Sequence, residues 1–179
     1  ADEVQSGIGR CGEYFAIQAY GLQPDIISSA KALGGGMPCG AVLCSEDLAK
    51  HFGNGDLGST FGGGPLASAA IVAVLTSIEQ EQLLANVRQR EQEIRESCVT
   101  GPVTGIQGKG LLLGLVCDRP AAEVRDALLA QDILTGTSAD PRVLRILAPL
   151  VLQREHVARL ANALSRNDDF DLSKEQHPQ

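Results

Sequence analysis

The chain has 179 residues, is 44% hydrophobic and 21% charged, and carries 20 glycines, only 3% aromatic residues and a formal net charge of −7. That composition suits an α/β chain with many tight turns, long enough for one good core or two small ones. The acidic balance argues against nucleic acid or an anionic membrane as partner, since both call for clustered Lys and Arg, while leaving room for a local phosphate pocket.

The chain opens on Ala1-Asp2-Glu3-Val4, with no Met and no signal pattern. We expect it to enter at the end of a strand and to be a stretch of a longer protein. Residues 2–12 read as a strand end that becomes a glycine-rich loop, and residues 13–20 as a short helix closed by Gly21. Pro24-Asp25 turns the chain. Residues 26–30 form a short buried strand that delivers Lys31, residues 34–38 turn, and residues 40–44 are the next strand. Ser45 caps a helix over 46–52. Residues 53–64 are a glycine-rich loop, and Pro65 suits the first position of a helix. Residues 66–78 are apolar on most sides, which predicts a buried helix, and a break near 79–82 precedes an amphipathic stretch reaching residue 96. After Cys98, strands over 103–107 and 111–117 flank Gly108-Lys109-Gly110. A helix over 121–131, strands over 133–135 and 143–147 around the turn at 138–141, and a helix over 155–165 follow. Residues 166–179 read as a frayed or disordered polar tail. The longest apolar run, over 66–75, is too short to cross a membrane.

Cys11, Cys39, Cys44, Cys98 and Cys117 are odd in number and form no CxxC, so we expect reduced thiols in a cytoplasmic protein, mostly packed as small hydrophobes. His51, His156 and His177 are scattered, and no metal site is expected.

Lys31 stands at a strand end just before Gly34-Gly35-Gly36, where open α/β sheets place ligands. A lysine partly desolvated there can lose its proton and act as an amine nucleophile, although most surface lysines are only solvated charges. A pyridoxal phosphate (PLP) enzyme needs such a lysine together with a carboxylate that faces the pyridine nitrogen. Asp2 ends one strand and Lys31 the next, so in a parallel sheet both emerge at one edge, with Gln5 close by. By spacing alone, a turn residue at Asp2 and a solvated amide at Gln5 serve as well. Gly7-Ile8-Gly9-Arg10-Cys11-Gly12 fits GxGxxG but lacks the acidic strand end of a dinucleotide site, which favours a plain glycine loop over a nucleotide-binding module. Gly108-Lys109-Gly110 lacks the first glycine and the Ser/Thr of a Walker A loop. The stretch from Gly58 to Pro65, with Ser59 and Thr60, precedes a helix N-terminus and suits a phosphate, or is a flexible loop with a cap. Arg145 interrupts an apolar strand, a place where an unpaired arginine is expensive to bury; a substrate carboxylate, an internal ion pair or an outward-facing position on an edge strand each account for it. Arg142, in the turn, reads as solvated.

Taken in order, these residues resemble the class III, ornithine/acetylornithine-type, PLP-dependent aminotransferases. The resemblance runs through Asp2-Glu3-Val4-Gln5, Gly7, Gly9, Arg10, Gly12, Pro24-Asp25-Ile26, Ala30-Lys31 and Gly34-Gly35-Gly36. It continues in Gly58-Ser59-Thr60-Phe61-Gly62-Gly63, Pro65-Leu66-Ala67, Gly108-Lys109-Gly110-Leu111 and Leu144-Arg145 to Pro149-Leu150. It implies the fold-type-I PLP transferase fold. Residues 1–82 are then the C-terminal part of the large α/β domain, and residues 83–165 are a small α+β domain. Lys31 matches the lysine that carries PLP as a Schiff base, Asp2 the partner of the pyridine nitrogen, and Gln5 the neighbour of the ring hydroxyl. Thr60 matches a residue that reaches the cofactor phosphate of the neighbouring subunit, which implies a homodimer. Arg145 matches the arginine that binds a substrate α-carboxylate. The acetylornithine branch is the most similar, implying transfer from N-acetylornithine to 2-oxoglutarate in arginine biosynthesis. Ornithine, succinylornithine and 4-aminobutyrate are other donors, and an inactive truncated chain is the non-enzyme reading. Cys11 stands where Thr is usual and Gly64 where Asn is usual. The family's N-terminal half would add a second phosphate loop, an aromatic on the PLP ring and groups that sort substrates.

Overall fold

Strand β1 (Ile26–Ser29) pairs antiparallel with β2 (Ala41–Cys44), Ile26 opposite Cys44 and Ser29 opposite Ala41. Along its other side runs the start of the chain, parallel to it: Asp2 bridges to Ser28, Ser28 N donates to Ala1 O (3.0 Å) and Glu3 N donates to Ser28 O (2.9 Å). The computed structural model describes residues 1–166, which divide into two units, Ala1–Ala85 and the residues from Asn86 on. The tail expected over 166–179 lies, beyond Arg166, outside the described residues.

In the first unit the glycine loop turns with Ile8, Gly9 and Gly12 at positive φ. The helix expected over 13–20 is a 3₁₀ turn, Ala16–Tyr20, closed by Gly21 at φ +65°, whose N–H donates to Gln18 O. Gly21 ends the segment after five residues, too few to sustain an i→i−4 ladder. Helix α1 is Glu46–Ala49, with Ser45 Oγ accepting from Leu48 N; i→i−3 bonds at His51 and Phe52 end it before the expected residue 52. Helix α2 is Pro65–Gln80, with proline at its first position, and Gln82 at φ +55° marks the break before α3 (Leu83–Ser97).

Burial in this unit departs from expectation. Among the residues of α2 only Ile78 is buried, and Leu66 is 69% exposed. In β1 only Ser29 is buried. Apolar sequence states what a segment can bury; burial itself needs a second surface, and along most of α2 this unit does not supply one.

The second unit is built on an antiparallel sheet of order β3-β4-β6-β5, with β3 Val103–Lys109, β4 Leu112–Cys117, β5 Gly136–Thr137 and β6 Val143–Ile146. Helices α4 (Ala121–Leu129) and α5 (Arg154–Ser165) complete it. Its core joins Val87 and Ile94 of α3, Leu113 and Leu115 of β4, Leu128 of α4, Leu144 of β6 and Leu164 of α5. The strand expected at 133–135 begins later, at Gly136. Ile133 N still donates to Leu128 O, and Asp132 sits at φ +59°, so the chain is completing the end of α4 there.

The β3–β4 hairpin turns at Gly108 (φ +95°) and Gly110 (φ +60°), and Arg95 donates to the carbonyls of Ile106 and Gly108. A Cβ on Gly108 would lie 2.1 Å from Leu112 O. Gly108→Ala is therefore expected to lower the stability of this unit by about 2 kcal/mol, through steric conflict and a left-handed backbone together. A denaturant midpoint equal to that of the unchanged protein would contradict this.

Cys11, Cys98 and Cys117 are buried, Cys39 is half-buried and Cys44 exposed. Burial pushes the thiols of Cys98 and Cys117 up. Among the described residues there is no cluster fit to hold a metal ion and no helix long and apolar enough to cross a membrane.

Candidate functional site

Lys31 follows β1 after one extended residue, Ala30 (φ −161°, ψ −150°), and opens a 3₁₀ turn, Lys31–Gly34. Its own φ is +50°, a conformation that costs a residue with a Cβ about 1–2 kcal/mol. Lys31 is exposed, not partly desolvated as expected. The residues beside it in sequence are small, and nothing in the first unit closes over the amine. Its Nζ has no hydrogen-bond or ion-pair partner among the described residues.

Two of the three glycines that follow answer to packing. A Cβ on Gly34 would meet Cys39 Sγ at 2.6 Å, and one on Gly35 (φ +59°) would meet Val74 Cγ2 of α2 at 2.8 Å. Gly36, at φ +113°, has open space around it. The triplet thus lets the Lys31 turn lie against α2.

Asp2 lies level with Ser28, three residues before Lys31 on the parallel neighbour. Its Oδ1 accepts from Val4 N (3.0 Å) and Ser28 Oγ (3.2 Å). Oδ2 takes no hydrogen bond among the described residues, so one oxygen is anchored and the other is available. Gln5 is exposed in the loop that follows. Asp2, Gln5 and Lys31 therefore share one end of one small sheet. An amine and a carboxylate are the pair that PLP chemistry requires, and Lys31 and Asp2 fit that cofactor.

Around the glycine loop, burial lowers the affinity of the Arg10 guanidinium for its proton, with Cys11 acting weakly the other way. No helix opens after Gly12; bends and the 3₁₀ turn follow, so the βαβ unit of a dinucleotide site is missing here. Thr60 is exposed in the loop before α2, whose N-cap Gly64 offers no side-chain cap.

Arg145 belongs to the second unit. It sits on β6, an inner strand, between Gly114 of β4 and Gly136 of β5. Its neighbours Leu144 and Ile146 are buried while Arg145 is exposed, so its side chain emerges on the outer face of the sheet. Gly136 makes room for it, since a Cβ there would lie 3.3 Å from Arg145 Nε, while the space over Gly114 is taken by Val143 and Gln107. Arg145 lines a cavity of about 690 Å³ together with Thr135, Leu147, Val151 and His156. Arg142 is exposed in the turn.

Two residues of the first unit escaped the sequence reading. Ser28 holds Asp2 through its hydroxyl. Glu3 is only 3% exposed and accepts from Ile17 N (2.7 Å) and Ser6 Oγ (2.5 Å). Strand alternation points to Glu3, because a residue next to an outward Asp2 faces inward.

The family model described as aminotransferase class-III matches residues 1–167. The acetylornithine aminotransferase of Aquifex aeolicus is 42% identical over 163 residues, covering 91% of this chain and 43% of that protein. The crystal structure of acetylornithine aminotransferase from Elizabethkingia anophelis superposes with a TM-score of 0.83 at 31% identity, covering 92% of this chain and 46% of that one. The ornithine delta-aminotransferase of Plasmodium falciparum gives a TM-score of 0.83 at 28% identity, over 95% of this chain and 45% of that one. The chain thus spans less than half the length of the relatives it matches.

Proposed function

The chain belongs to the class-III aminotransferase family, and on that premise we propose that the full-length protein is a PLP-dependent transaminase. It moves an amino group from N-acetylornithine, or a related terminal amine, to 2-oxoglutarate. The observation that carries this reading is that parallel neighbouring segments bring a partner-free Lys31 amine and an Asp2 carboxylate, with one oxygen anchored and the other available, toward the same end of the sheet. In this reading residues 1–82 are part of the large cofactor-binding domain and residues 83–165 form the small domain.

Bound PLP supplies a carbonyl for amines and a ring that takes up an electron pair. Lys31 Nζ would hold the cofactor, and the same amine would move the proton at the amine-bearing carbon of the substrate. Asp2 Oδ2 would keep the pyridine nitrogen protonated, and the Gln5 amide would help to hold the ring. The Thr60 hydroxyl would help to hold the cofactor phosphate in the second copy of a homodimer. Arg145 grips a substrate carboxylate, which lowers the entropy lost in reaching reactive geometry. The setting we assign is the cytoplasm, in arginine biosynthesis.

The test is to load the full-length protein with PLP, reduce with borohydride and map the attachment by mass spectrometry. Lys31 is the expected residue, and attachment at any other lysine overturns the assignment. A panel of N-acetylornithine, ornithine, succinylornithine and 4-aminobutyrate then decides the donor. Preference for ornithine would place the protein with the relatives of that name.

A further inference from the structure

We propose that Glu3 is a positioning residue: its buried carboxylate fixes the loop that presents Asp2 and Gln5 to the cofactor. This inference rests on the reading of Asp2 and Gln5 given above.

An ionised carboxylate withdrawn from water is expensive unless donors meet both its oxygens. Glu3 is 3% exposed, and both oxygens are met: Oε1 by Ile17 N at 2.7 Å and Oε2 by Ser6 Oγ at 2.5 Å. Its backbone is engaged as well. Glu3 N donates to Ser28 O of β1 (2.9 Å), and Glu3 O accepts from Gly7 N (3.0 Å). Gly7 can fold back this far because it has no side chain; a Cβ there would lie 2.7 Å from Glu3 O.

One residue therefore joins three segments: β1, whose end carries Lys31; the turn of residues 4–7, which carries Gln5; and the 3₁₀ turn that begins at Ala16. Gln5 is framed on both sides, by Val4 N bonded to Asp2 Oδ1 and by Ser6 and Gly7 bonded to Glu3. Asp2 is framed likewise, since Ala1 and Glu3 both pair with Ser28. Glu3 itself touches neither cofactor nor substrate in this arrangement. Its action is to hold the neighbours that do, and a shift of about 1 Å in such a group lowers rates by up to about 100-fold.

The test uses the full-length holoenzyme with Glu3→Ala, Glu3→Gln and, as reference, Asp2→Asn. Glu3→Ala is expected to lower kcat about 10- to 100-fold, with KM for the amino donor nearly unchanged. The pH at which the visible band of bound PLP changes should move in the same direction as in Asp2→Asn. Glu3→Gln keeps an acceptor for Ile17 N and a group that Ser6 Oγ can meet, so it should restore both band and rate. A Glu3→Ala enzyme that loses thermal stability but keeps the parent's band and kcat overturns the proposal, and so does a Glu3→Gln enzyme as impaired as Glu3→Ala. Should Glu3→Ala fail to fold, Ser6→Ala is read instead: a smaller shift of the band in the same direction supports the proposal, and an unmoved band overturns it. A parent protein that takes up no PLP, or an Asp2→Asn band identical to the parent's, would instead overturn the reading of the site on which this inference stands.

Discussion

Replacing Lys31 by alanine is expected to lower turnover by about 100- to 10,000-fold, the range associated with losing a positioned acid–base group. Borohydride should then leave no cofactor attached at this position. Turnover of N-acetylornithine at the parent's rate by Lys31→Ala would refute the role of the amine. The backbone adds a second, separable expectation. Lys31 has φ +50°, a region where a Cβ crowds the following carbonyl and glycine does not. Lys31→Gly should be as inactive as Lys31→Ala, yet the more stable of the two cofactor-free proteins by about 1 kcal/mol. Equal denaturation midpoints for the two variants would show that no strain resides there. The strain and the chemistry then meet in one residue: the amine is needed at a bend that the backbone of a lysine adopts at a loss.

The largest effect on stability is expected in the second unit, at Leu144. It is 0% exposed and sits on β6, opposite Leu115 of β4 and Thr137 of β5. Leu144→Ala should lower the stability of this unit by about 2–5 kcal/mol, because the vacated volume lies in the core that also holds the fully buried Leu115, Leu128 and Leu164. The check is a chemical denaturation curve with an unchanged slope and a lower midpoint; a loss under about 1 kcal/mol would mean that the sheet and helices close over the gap. The substitution bears on function too. Leu144 and Arg145 point to opposite faces of one strand, so the same core contact that anchors β6 sets where the Arg145 guanidinium emerges between Gly114 and Gly136.

Much of this molecule was legible in local chemistry. Pro65 at the first turn of α2, Ser45 capping α1, Gly21 closing the turn at 16–20 and the break at Gln82 all follow from what one residue does to its own backbone. The apolar run of residues 143–147 marked a strand and left Arg145 as the residue to explain. The family followed from the order of Asp2, Gln5, Lys31, Thr60 and Arg145 along the chain, which needs no coordinates.

Other features were decided by segments distant in sequence. Nothing near α2 distinguishes a helix buried all round from one exposed along Leu66 and Val72; that depends on which surfaces lie beside it. The start of β5 moved to Gly136 because Ile133 N was already committed to Leu128 O. The hold of Ser28 on the Asp2 carboxylate and that of Ile17 on the inward Glu3 were not legible in the sequence, since those bonds join residues many positions apart. The residues by themselves determined which groups are available and where the backbone must bend, because those choices are governed by sterics and hydrogen bonding within a few residues. The tertiary structure alone decided which of those groups are buried, which are held and which are left for a ligand. Those outcomes depend on distances and excluded water, which arise only when remote parts of the chain are brought together.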